Sequence, residues 1–241
     1  SDVCSSDLNL AAFHVLDDRQ YRDPQACPRP GRGGSNTVDV AECRELADPA
    51  RTMLGREQEA WLDAGLAGSR ARWNFLAQQT PMAQFDQKPG AGRLAWTDGW
   101  DGYPAARQRL LDDLAARKPA NTVVLGGDVH ANYVVDLKAD FDRPDSAVLA
   151  SEFCGTSISS HGLAQERLDK VLPWNPQIRL GRSDLRGYMR FELSASGLEA
   201  ELRTVDDPWS ASSRLSSLAR FTKQRCKSSR SKARFACNSS Y

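Results

Sequence analysis

The 241-residue chain has no apolar run approaching the roughly 20 residues of a membrane-spanning helix. Its first residues lack the charged start and apolar core of an export signal. Charge imbalance is missing too: 32 basic residues against 31 acidic ones leave a net +1, which gives no reason to expect a nucleic acid or an anionic membrane as partner. None of the six cysteines stands in C-x-x-C spacing, which argues against a structural zinc or a thioredoxin-like site. The G-x-S-x-G elbow is absent, so Ser157, Ser159 and His161 are not read as a serine hydrolase.

What is present fits a globular α/β protein, with 40% hydrophobic and 26% charged residues and enough length for one large domain or two small ones. Residues 1–8 show no periodicity and read as a non-native leader, and residues 9–17 read as a buried strand. Cys27 and Cys43 bracket a loop rich in Pro, Gly and Arg; a bridge there would stabilise by about 3 kcal/mol and imply an oxidising compartment, but two free thiols are equally compatible with the sequence. A helix is expected over 55–68, where Leu54, Gln58, Trp61, Leu62 and Leu66 share a face, and then a strand over 73–79. Pro104 opens a second helix running to Arg117. Residues 98–103 gather Asp98, Trp100, Asp101 and Tyr103 at its N-terminus, as an anion site or as a cap with core aromatics. Strands follow at 133–137 and 147–153, a helix at 163–172, and a hairpin at 188–193 and 198–205. Residues 222–241 form a basic, serine-rich stretch expected to be a disordered tail without a specific nucleic-acid site.

The stretch with the most chemistry is 121–132, NTVVLGGDVHAN, where a β-branched run meets two glycines, Asp128 and His130. In an extended segment those two side chains point the same way with Cα atoms roughly 6–7 Å apart. This spacing suits two ligands flanking a metal pair about 3.5–4 Å apart. A capping Asp and a core His remain the alternative.

Several blocks occur in order: VLDDRQYR (15–22), MLGREQEAWL (53–62), QQTPM (78–82), DGWDGYPAAR (98–107), VVLGGDVHAN (123–132), EFCGTSISSHG (152–162) and RGY (186–188). Together, over residues 9–221, they resemble the catalytic domain of the PhoD-like alkaline phosphatases, a branch of the calcineurin-like metallophosphoesterases. The resemblance implies an α/β fold, a metallophosphoesterase-type sandwich of two mixed β-sheets flanked by helices. It also implies hydrolysis of small-molecule or polymeric phosphate esters by in-line attack of a metal-bound hydroxide, with calcium and iron as the ions or another divalent metal in their place. By resemblance, Asp128 is a ligand of the calcium-type ion and His130 of the iron, a split that suits hard oxygen and imidazole donors. Asn132 then supports His130. Tyr103 and Arg107 are candidates to orient phosphate, and Asp101 is open between ligand, ligand partner and cap.

The family's amino-terminal ligand motifs, G-D-x-x-Y-like and D-x-H-E-like, have no counterpart here. The chain is therefore expected to be N-terminally truncated and inactive or nearly so, derived from an exported, monomeric parent enzyme. A non-catalytic binding or structural module of the same fold is the alternative.

Overall fold

The computed structural model describes residues 5–7, 10–31, 34–224 and 236–238. In chain order its strands and helices are β1 (Ser5–Asp7), β2 (Ala11–Val15), β3 (Thr37–Asp39), α1 (Arg56–Gly68), β4 (Trp73–Ala77), β5 (Leu94–Trp96), α2 (Pro104–Arg117), β6 (Thr122–Gly126), β7 (Asn132–Lys138), β8 (Val148–Cys154), α3 (Gln165–Val171), β9 (Ile178–Arg182), β10 (Arg186–Leu193), β11 (Gly197–Val205), β12 (Leu215–Gln224) and β13 (Ala236–Asn238). Seven strands form one mixed sheet in the order β1-β2-β4-β6-β8-β7-β9. Within it β2, β4, β6 and β8 run parallel, so their carboxyl ends share one rim. The second sheet, β10-β11-β12-β13, is antiparallel throughout its described pairings, and β3 pairs β5 in a small ribbon.

Side-chain alternation divides the large sheet between two cores. Trp73, Phe75, Val123, Val134 and Phe153 point to the second sheet, where they pack with Leu198, Leu202 and Phe221. Their neighbours Leu76, Val124, Val135 and Cys154 point the other way, to Leu62, Leu66, Leu111 and Leu114 of α1 and α2. A helical layer, a mixed sheet and an antiparallel sheet are thus stacked around a strand set buried on both faces, which is why the central run from Thr122 to Leu125 shows no polar alternation. Trp73 also donates from Nε1 to the Ser194 carbonyl at 3.1 Å, tying the sheets by a polar contact.

Differences from the sequence reading have local causes. Ser5–Asp7, inside the stretch expected to be a leader, pairs antiparallel with β2. Residues 222–224, assigned to the tail, complete β12, and Ala236–Asn238 pairs with it; the tail's remainder lies outside the described residues. β9 and β12 carry weak strand signals because one contains Gly181 between arginines and the other is largely polar.

Cys27 and Cys43 are bridged, with Cα atoms 6.0 Å apart, which resolves the alternative left open by the sequence. The bridge covers the small core of Ala26, Leu46 and Ala95. Its 16-residue separation corresponds to about 3 kcal/mol of chain entropy. Cys27→Ser is accordingly expected to lower the melting temperature by on the order of 6 °C in a non-reducing scan. An unchanged midpoint would show that the bridge constrains nothing.

Candidate active site

Parallel strands gather chemistry at their carboxyl ends, because the loops leaving them open above the same rim. Four such loops converge here. After β2 comes Leu16 to Arg19, after β4 Gln78 to Thr80, after β6 Gly127 to Ala131, and after β8 Gly155 to Gly162.

Two glutamines fix the first loop. Gln58 of α1 accepts from the Asp17 N–H at 2.7 Å and donates to the Asp17 and Leu54 carbonyls. Gln79 accepts from the Asp18 N–H at 2.9 Å and donates to the Leu16 carbonyl. Asp18, fully buried, accepts from the Thr80 hydroxyl and N–H. Burial raises the Asp18 pKa, against the lowering effect of those hydrogen bonds and of Arg19.

So held, the loop aims Arg19 into the rim. Its Nη1 meets Asp98 Oδ2 and its Nη2 meets Asp128 Oδ1, each at 2.8 Å. Asp98 also accepts from Arg22 at 3.0 Å and Gln25 at 2.8 Å. Burial pushes its carboxyl up, but the Gln25 and Arg19 hydrogen bonds and the two guanidinium charges outweigh this and hold it below the usual range.

Asp128 and His130 do not lie in an extended segment. Both have left-handed backbone, with φ of 74° and 54°, in the turn between β6 and β7. The equal-facing geometry expected from extended spacing is therefore corrected: a tight turn, with the Val129 N–H donating to the Gly127 carbonyl at 2.9 Å, presents them instead. Non-glycine residues in this region carry strain and persist where their surroundings over-determine them. Around His130 the supports are visible. Its carbonyl accepts from Thr156 Oγ1 at 3.2 Å and from Arg186 Nη1 at 3.0 Å. Gly162 lies so close that a Cβ there would sit 2.5 Å from that carbonyl oxygen. The ring's Nδ1 is 2.8 Å from the His161 carbonyl. A carbonyl only accepts, so Nδ1 carries a proton, and in the neutral ring the lone pair then sits on Nε2.

The other expected residues fall elsewhere. Tyr103 is fully buried, donates its hydroxyl to the Asp23 carbonyl and lies under the Arg51 guanidinium, so it is not placed to touch phosphate. Arg107, only 4% exposed, pairs with Asp101 at 2.5 Å beneath the helix start. Asp101 spends its other oxygen on the Phe85 N–H at 2.9 Å. These three form a structural lock, correcting the phosphate-orienting role expected for Tyr103 and Arg107. Asn132 is buried, and its Nδ2 has no hydrogen-bond partner among the described residues. The carbonyl of His161, and not Asn132, meets the His130 ring.

Arg19, Glu152, His161 and Arg186 went unassigned in the sequence. The available signal was position: Arg19 and His161 follow parallel strands, and the carboxylate of Glu152 lies inside one. Glu152 is fully buried and accepts from the Met82 and Ala83 N–H groups at 2.5 and 2.8 Å. Burial lifts its pKa from 4.5 to about 7, against those donors and Arg107. Arg186, 5% exposed, also donates to the Ser160 and Ser183 carbonyls and to Ser157 Oγ.

Two outcomes follow. A folded-state pKa above the unfolded value means the native state binds the extra proton, so stability falls as pH rises from about 4.5 through 7. Glu152→Gln should remove that decline, flattening a drop of roughly 5 °C between pH 5 and 8; an equal slope in both proteins would contradict the assignment. Arg186→Ala strips donors from the carbonyls of His130, Ser160 and the buried Ser183 and should cost roughly 2–4 kcal/mol in denaturant titration, a loss that lysine, lacking the planar fork, recovers only in part. A wild-type midpoint in Arg186→Ala would mean the loop holds His130 unaided.

Comparison with known proteins adds to this geometry. A family model described as PhoD-like phosphatase matches residues 9–202. Alkaline phosphatase D of Bacillus subtilis (strain 168) is 38% identical over 220 residues, which is 90% of this chain and 36% of that protein. A solved chain described as "Structure of PhoD" superposes with a TM-score of 0.82 at 33% identity, covering 97% of this chain and 42% of that one. The chain thus spans 36% of the length of the curated relative.

Proposed function

The chain belongs to the PhoD-like phosphatase family, and from that premise we propose that the turn carrying Asp128 and His130 is its contribution to a phosphoric ester hydrolase centre. The observation that carries the reading is the convergence of Arg19, Asp98, Asp128, His130 and His161 where parallel strands end. Phosphomonoesters and phosphodiesters, small or polymeric, are the proposed substrates.

The residues were tested against the calcium and iron that the family resemblance implies. Among the described residues no three of His, Cys, Asp or Glu are placed together to hold an ion. Asp128 is engaged by Arg19, and Asp98 by Arg19, Arg22 and Gln25. One available imidazole nitrogen and one shared carboxylate do not satisfy two ions that need about four to seven ligands each. The donor set present does not fit two such ions.

What these residues can do is bind and orient. Arg19 offers a guanidinium suited to phosphate oxygens, balanced at present by two carboxylates. His130, with Nδ1–H held by the His161 carbonyl, lines the cavity, and its neutral ring would offer Nε2 as an acceptor for a donor contact. The chain as it stands is proposed to have little turnover of its own. The Cys27–Cys43 bridge favours an extracytoplasmic setting for the enzyme. A non-catalytic binding role is the second reading, favoured by the Arg19–Asp128 pair, which satisfies that carboxylate without a metal.

Hydrolysis of p-nitrophenyl phosphate by the 241-residue chain, with calcium and iron supplied, separates these views. The expected result is turnover at background level, unchanged in His130→Ala. Robust turnover abolished by His130→Ala would overturn the claim that this donor set is insufficient. A melting temperature raised by the same ions would count against the non-catalytic reading.

A further inference from the structure

The cavity at the rim, about 490 Å³ in volume, extends well past Asp128 and His130. Strand parity shows in which direction. Tyr133 and Val135 of β7 face the helical side, as the first core requires. Ile178 of β9 stands opposite Val135 on one side, and Glu152 of β8 stands opposite it on the other. From Tyr133 to Val135 the wall runs roughly 7 Å away from the His130 turn. Phe85, its ring centroid 5.8 Å from that of Tyr133, closes the wall together with Leu163 and Val171.

Most polar groups in this inner part are already committed, while the Arg167 side chain stands at its exposed side. Glu152 receives the Met82 and Ala83 N–H groups. Gln84 accepts from Arg93 at 2.7 Å, and Gln87 from Thr37 at 3.3 Å. The mouth, by contrast, carries Asp98, Asp128, His130 and His161. A cavity with a charged mouth and an apolar interior of this volume matches an organic ligand with one polar end. A sugar or glycerol moiety would bring hydroxyls to a wall whose acceptors are spoken for, and would leave apolar surface unused.

We propose that this cavity is the subsite for the alcohol portion of the phosphate ester and that it selects an apolar one, an aryl or alkyl group about the size of two fused rings. The inference rests on the hydrolase reading above for what sits at the mouth. Phe85, Val135, Leu163 and Ile178 set the preference, while His130 and Arg19 meet the phosphate.

Isothermal titration of the full 241-residue chain with 1-naphthyl phosphate, glycerol 2-phosphate, inorganic phosphate and 1-naphthol tests it. The naphthyl ester is expected to bind roughly tenfold tighter than glycerol 2-phosphate, the gain from burying a few tens of Å² of ring surface. Phe85→Ser and Leu163→Asp should each erase most of that gain while inorganic phosphate binds as before. Equal affinity for the two esters, or a preference that survives both substitutions, would overturn the subsite. So would 1-naphthol binding as tightly as its phosphate, which would mark a general apolar surface. Inorganic phosphate reports separately on the mouth: if it fails to bind, or binds His130→Ala equally well, the hydrolase reading fails, whereas phosphate binding without a naphthyl gain overturns only the alcohol subsite.

Discussion

One guanidinium, that of Arg19, stands between two carboxylates that arrive from distant parts of the chain. It contacts Asp98 and Asp128 at 2.8 Å each, so the two acids share a neighbourhood in which like charges would otherwise repel. The contact spans the loops after β2, β5 and β6, and it joins them at the one rim where the parallel strands end. Arg19 is itself aimed by Gln58 and Gln79, through hydrogen bonds to the segment before it, and by the Asp18 carboxylate 3.8 Å from its Nε. Partly exposed ion pairs contribute little stability singly. The consequence of this one is therefore geometric: it decides where the Asp128 carboxylate stands.

The two-faced burial of the central sheet makes that geometry rigid. Trp73, Phe75 and Phe153 lock one face to the antiparallel sheet, and Leu76, Val124 and Val135 lock the other to the helices. Sliding a strand by one residue would exchange the aromatic set with the aliphatic one and break the packing on both faces, so the register, and with it the height of each loop above the rim, is strongly specified. Loops set at fixed heights permit the left-handed turn at Asp128 and His130, which Arg186, Thr156 and the bare backbone of Gly162 then hold. Asp101, Arg107 and Tyr103 anchor the start of α2, and Asp101 also lines the cavity.

Much of the fold was legible because burial on both faces leaves a plain mark. The run from Thr122 to Leu125 shows no polar alternation, the one at 73–77 sets Trp73, Phe75 and Ala77 against Asn74, and α2 begins at Pro104 and ends at Arg117 as the sequence suggests. The strands β9 and β12 were not, since polar residues on an open face and a glycine hide the period. Of the site, the glycines of the Asp128 and His130 stretch and its place after a buried strand singled it out, while a capping Asp and a core His stayed open until the resemblance was added. Its shape was not legible, because positive φ at two non-glycine residues is imposed by tertiary contacts that no local propensity records. The same limit applies to Tyr103 and Arg107. Position at a helix N-terminus suggested an anion site, whereas packing turned both inward. Arg19 and Arg186 were invisible for the converse reason, since their roles arise only where segments far apart in sequence meet.

The central claim is that this chain meets phosphate at the Asp128–His130 turn. Amide chemical-shift mapping by NMR during titration with inorganic phosphate addresses it most directly. The account predicts the largest shifts at residues 127–131, with accompanying change at the Arg19 side chain. Shifts centred on the basic stretch 223–241, with the turn unmoved, would contradict it.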